Sequence, residues 1–179
     1  MKTPTRLMII GVIATLFLSI AGFTTTQAQS ILSSEQLQRI SANCVSIKNT
    51  LNQLHASDAL LRVNRGQVYE AMSTKLMDRF NSRLTSNDLD AVGTIAVTNG
   101  YRTALTTFRT DYQAYERQLS SAIKTDCEQK PAEFHASIED AREKRGKVHQ
   151  DILRLHQYID DYRSAVNDFF INFERVTGE

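Results

Sequence analysis

LHASDALLRVNRGQVYE, residues 54–70, has the composition of a helix but puts Asp58 and Arg65 on the stripe that ought to be apolar. Upstream, Leu37, Ile40, Cys44, Ile47, Leu51 and Leu54 step by 3, 4, 3, 4 and 3, the spacing of a coiled-coil seam. The same phase then runs through Asp58, Leu61, Arg65, Val68, Met72, Lys75 and Arg79, while Leu76 and Phe80 offer apolar groups one position later. The pattern predicts one long helix over about 34–84, with a small shift of its buried face in the second half. Ser34 is the expected N-cap. Gly66 costs about 1 kcal/mol of helix propensity without forcing a break.

Turn formers cluster next in NSRLTSNDLD, residues 81–90, where Thr85 and Asp88 have capping-box spacing. A second helix is expected over 87–127. Leu105, Phe108, Tyr112, Tyr115, Leu119 and Ala122 carry its seam. Its early part, AVGTIAVTNGYRTALTT, is rich in β-branched residues, and Asn99-Gly100 has the form of a hairpin turn. A lone hairpin with no sheet to join is marginal, so helix is the reading here too, thinned near Gly100, where small residues permit close packing. A third helix over 131–175 starts at Pro131, whose missing N–H suits a first turn. From Phe134 to Phe173 its apolar positions alternate by 4 and 3, and only Arg145 interrupts them. The expected fold is therefore all-α: an elongated antiparallel three-helix bundle with coiled-coil-like packing, ~60 Å long at 1.5 Å per residue.

The two cysteines, Cys44 and Cys127, lie on or beside apolar seams, and their midpoint falls between residues 85 and 86, inside the expected bend. Antiparallel helices of equal rise bring such positions level, which predicts a Cys44–Cys127 disulfide. The same reflection brings residue 58 level with about 113, and the second turn brings 113 level with 145. Asp58 and Arg145, the charged interruptions of two separate seams, are thus expected at one height. Arg62 and Asp111 lie within a turn of them, with His55 and His149 close by. Such a layer reads either as an ion pair that fixes helix register or as a small polar pocket for a ligand.

The chain of 179 residues opens MKTPTRLMIIGVIATLFLSIAGFTTTQAQS. Lys2 and Arg6 precede an apolar run, and Thr26-Gln27-Ala28 offers small residues at a cleavage site, so residues 1–28 read as a signal peptide or an uncleaved membrane anchor. Residues 29–179 would form a single exported domain. Losing Lys2 and Arg6 would take the formal charge from +1 to −1, with no basic bias toward nucleic acid. An even cysteine pair outside the cytoplasm agrees with a structural disulfide.

Chemistry-bearing motifs are sparse. His55, His135, His149 and His156 share no metal-ligand spacing, and neither a repeated Glu-x-x-His nor a glycine-rich phosphate loop occurs. The sequence offers no catalytic, metal or cofactor site. The cluster Arg142, Lys144, Arg145 and Lys147 is diluted by Glu139, Asp140 and Glu143, as on a solvated helix face. Arg102, Arg109 and Phe170 are the candidates for a partner surface, since exposed arginines and aromatics make binding hot spots.

The series DALLRVNRGQVYE, FRTDYQAYE and AREKRGKVH, with the two cysteines, resembles uncharacterised exported helical proteins of small-genome, candidate-phylum bacteria. The resemblance implies a cell-surface setting and transfers no activity to any residue. Two functions fit. One is a non-enzymatic binding or scaffold protein of the cell envelope, with a protein partner or a second copy along its side and membrane contact only through an uncleaved anchor. The other is a small-ligand-binding or sensor-type bundle using the central polar layer. A long thin bundle encloses little volume, which favours the first.

Overall fold

In the computed structural model, residues 32–178 are described; the expected signal segment 1–28 lies outside them. Four helices follow in order: α1 (Ser34–Ala42), α2 (44–86), α3 (Val92–Lys124) and α4 (Pro131–Thr177). The expected three-helix bundle is thus corrected to a four-helix fold, because the first expected helix is broken at Asn43. There φ and ψ are −106° and 12°, outside the helical well, and the Asn43 amide donates to Arg39 O at 2.8 Å. An asparagine that bonds the preceding turn competes with continued helix. The break lets Ser41 Oγ donate to Glu128 O at 3.1 Å beside the Cys44–Cys127 disulfide, whose Cα atoms lie 5.5 Å apart. Capping also differs by one residue. Ser33 is the N-cap and forms a complete capping box with Gln36.

Within α2, residues Met72–Met77 form a π-helical segment between Cys44–Ala71 and Asp78–Ser86. A π turn holds more residues than an α turn, so it rotates the buried face. Tyr69, Ser73, Met77, Asn81 and Leu84 are buried, whereas Val68 and Leu76, expected on the seam or its shifted continuation, are about half exposed. The bend after α2 closes with Asp88 at φ 55°, Leu89 N–H donating to Leu84 O at 2.9 Å and Asp88 N–H to Thr85 O at 3.2 Å. This is a Schellman closure with aspartate where glycine is usual. It delays the next helix to Val92, so the expected start at 87 is corrected.

α3 supplies the centre of the core. Tyr101, Leu105, Phe108, Tyr112, Tyr115 and Leu119 are buried in a cluster with Tyr69 and Met77 of α2 and Leu155 and Tyr162 of α4. Residues 91–105 hold no hairpin; α3 is continuous helix through Gly100. A Cβ at Gly100 would stand 2.5 Å from the Tyr158 ring, so glycine permits the close approach of α4. A smaller cluster of Cys44, Cys127 and Phe134, with Ile40 and Ile47 packed on it, closes the other end. Pro131 occupies the first turn of α4 as expected.

The disulfide closes a segment of 83 positions. By chain-entropy reasoning, replacing Cys44 and Cys127 with serine should remove roughly 4 kcal/mol of stability. The loss is read as a lower urea midpoint, with a steeper slope because the uncrosslinked unfolded chain expands, and intact mass before and after reductant confirms the bond. An unchanged midpoint would show that the crosslink does not restrain the unfolded chain.

Candidate functional site

The polar layer is assembled from three helices around one carboxylate. Asp58 of α2 accepts from Arg145 of α4 through Nε to Oδ2 at 2.9 Å and Nη2 to Oδ1 at 3.2 Å. Its Oδ2 also accepts the Tyr115 hydroxyl of α3 at 2.7 Å. The exposure is unequal: the Asp58 side chain is 11% exposed and that of Arg145 53%. Burial pushes the Asp58 carboxyl up, but the hydrogen bonds from Arg145 and Tyr115, with the guanidinium charge, outweigh it and hold the group below its ordinary value. Tyr115 is pushed far up, first by burial and then by Asp58.

Beside this layer lies a groove of about 240 Å³. Asp58, Arg62, Arg65, Arg145 and His149 give it polar walls, and Leu61, Phe108, Tyr112, Val148 and Ile152 give it apolar ones. Arg62 lies over the Tyr112 ring, its guanidinium carbon 5.1 Å from the centroid. Arg65 lies beside the Tyr69 hydroxyl, which also meets His156 Nε2 at 3.1 Å.

Asp111, expected in the same layer, does not line the groove. It faces Asp151 of α4, which is 7% exposed and whose Oδ2 has no hydrogen-bond partner. Burial raises the Asp151 carboxyl, and the neighbouring Asp111 raises it further by charge and by hydrogen bonding. Arg102 and Arg109, expected on a partner surface, pair within the chain with Asp78 and Glu70 of α2. Phe170 packs near the end of α4 against Phe80, tilted, and edge-on against Phe169, and remains half exposed.

A second polar network surrounds the π segment. Tyr101 donates to Tyr69 O at 2.9 Å, and Tyr162 donates to Met77 O at 3.2 Å and to Asn81 Oδ1 at 3.0 Å. Asn81 Nδ2 donates to Thr98 Oγ1 at 2.8 Å. Carbonyls at both edges of the π segment thus accept tyrosine hydroxyls. Arg65 and Asp151 were missed as members of polar clusters. Arg65 was recognisable as a seam violation, but Asp151 sits off the α4 seam and gives no sequence signal. Among the described residues no group of three or more potential metal ligands converges.

Comparison of the chain with protein families, curated proteins and solved structures finds no match. The functional reading therefore rests on the groove and its surroundings.

Asp58→Ala should cost about 2 kcal/mol, chiefly because the buried Tyr115 hydroxyl loses its acceptor. Arg145 is exposed enough to be rehydrated, so its share is small. In double-mutant cycles read by urea melts, Asp58 with Tyr115→Phe should couple more strongly than Asp58 with Arg145→Ala. The reverse order would put the energetic weight on the ion pair.

The two carboxyls titrate with opposite sign. Asp58, lowered in the fold, contributes stability above the ordinary aspartate value of about 3.9 and loses it as pH falls through the folded value. Asp151, raised in the fold, contributes on the acid side and loses that contribution as pH rises through its folded value. Asp151→Asn should therefore stabilise the protein at pH 7 by about 1 kcal/mol, since an amide can donate to Asp111 without a buried charge. It should add little at pH 3, where the wild-type carboxyl already holds its proton. Melting curves at the two pH values check this.

Proposed function

We propose that this protein is a non-catalytic binding protein that takes a small molecule into the groove beside Asp58 and Arg145. The observation that carries the reading is the groove itself: a concave site with apolar walls and a few convergent polar groups, set among α2, α3 and α4. At about 240 Å³ it lies below the roughly 300–1,000 Å³ usual for drug-sized ligands, which suits a small metabolite. The surrounding hydrogen-bond network supports a preformed site, since Asp58 already holds Tyr115 and Arg145. Docking of a protein along the rod has less support, because Arg102 and Arg109 already have acidic partners.

The reading sets the protein outside the cytoplasm. The disulfide supports that setting, because such bonds persist in oxidising compartments.

A fragment screen followed by amide chemical-shift mapping tests the proposal. Fragments should shift resonances around Tyr112, Arg145 and His149, and Val148→Trp, which fills the groove, should abolish those shifts while the far end of α3 keeps its spectrum. Hits confined to the Phe169–Phe170 end of α4, or surviving in the filled variant, would overturn it.

A further inference from the structure

The charges of the groove are unbalanced. Three guanidinium groups, from Arg62, Arg65 and Arg145, face one carboxylate, Asp58. That carboxylate is already committed: both its oxygens accept from Arg145, and one also accepts the Tyr115 hydroxyl. Among the described residues neither Arg62 nor Arg65 forms an ion pair. Arg102 and Arg109 of α3 are instead neutralised, by Asp78 and Glu70 of α2. Glu116 lies near Tyr112 but neither lines the groove nor pairs with either arginine.

Arg62 and Arg65 are three residues apart in α2, so their side chains share one face and can reach the same group. The Arg62 guanidinium lies over the Tyr112 ring, and its five N–H donors outnumber what a ring contact can use. His149 adds a further nitrogen on the α4 wall. The opposite walls are different in kind. Phe108 is 3% and Val148 7% exposed, and Ile152 packs beside them, so that side can only reward apolar surface.

We infer, on the reading that the groove binds a small molecule, that its ligand is an amphipathic organic anion: a carboxylate on a ring-sized apolar body. Arg62 and Arg65 grip the carboxylate, and the body lies against Phe108, Val148 and Ile152. A cation meets uncompensated positive charge there. An inorganic anion makes no use of the apolar wall, and the groove is too small for a nucleotide with its several phosphates.

Calorimetry on the full protein with a matched set tests this: indole-3-acetate, indole-3-acetamide, tryptamine and inorganic phosphate, against wild type and Arg62→Gln/Arg65→Gln. The acetate should bind at least about tenfold more tightly than the amide, because only it forms charge-assisted pairs with the arginines. Tryptamine should bind weakest, and phosphate well below the acetate. In the double variant the acetate should fall to the level of the amide, while the amide itself is unchanged. Equal binding of acetate and amide, survival of the preference in the double variant, or phosphate matching the acetate would overturn the inference and leave the groove as a ligand site of other chemistry. If none of the three indoles binds, the inference falls, and the fragment screen separately decides whether the groove is a ligand site. Both substitutions lie on the groove side of α2 outside the buried core, and a circular-dichroism melt like that of wild type separates lost recognition from lost fold.

Discussion

One carboxylate ties three helices together at a single height. Asp58 of α2 receives a phenol from α3 and a guanidinium from α4, and the distances of 2.7 and 2.9 Å are met only when all three helices stand in one axial register. Apolar contacts alone would tolerate sliding, because hydrophobic burial is not directional. Tyr115 forms the buried side of the layer, and the half-exposed Arg145 its solvent side. Such a layer contributes modest stability and a large share of alignment. The disulfide and its small apolar cluster hold the end where α1 turns away at Asn43.

The π segment of α2 is the second constraint. It turns the buried face from the straight seam toward Tyr69, Ser73, Met77 and Asn81, and the polar members of that face need partners inside the core. Tyrosines supply them. Each brings ring area to the core and a hydroxyl to a carbonyl or amide, as Tyr101 does for Tyr69 O and Tyr162 for Met77 O.

These two constraints shape the groove between them. The Asp58 layer forms one wall and keeps Arg145 in place. The turn of α2 leading to Tyr69 carries Arg62 and Arg65 into the mouth, where Asp58 is the one carboxylate of the lining and is already bound by Arg145 and Tyr115. Two other arginines, both of α3, are neutralised across the interface, at Arg102–Asp78 and Arg109–Glu70. The groove is electropositive beside apolar walls, although the chain as a whole is close to neutral, with a formal charge of +1.

Much of the architecture was legible in the residues. Periodicity identified the long helical segments, Pro131 marked the start of α4, and the mirrored positions of Cys44 and Cys127 gave the level at which Asp58 and Arg145 meet. Those features are periodic or arithmetical, so a linear reading carries them. The number of helices was not legible, because the break is a local departure of the Asn43 backbone from the helical well, which no apolar pattern records. Nor was the face that α2 buries beyond Arg65, since a π turn changes the residues per turn on which seam reading depends. The membership of the polar clusters was legible only in part. Asp58 and Arg145 could be named from broken seams and Arg62 from its height beside them, but Asp111 turned to Asp151 and away from the groove. By itself the sequence determined helices, the disulfide and the height of the polar layer. Only the tertiary structure decided which charges are neutralised and which face an open groove, because pairing depends on side-chain directions across helices and not on position along one.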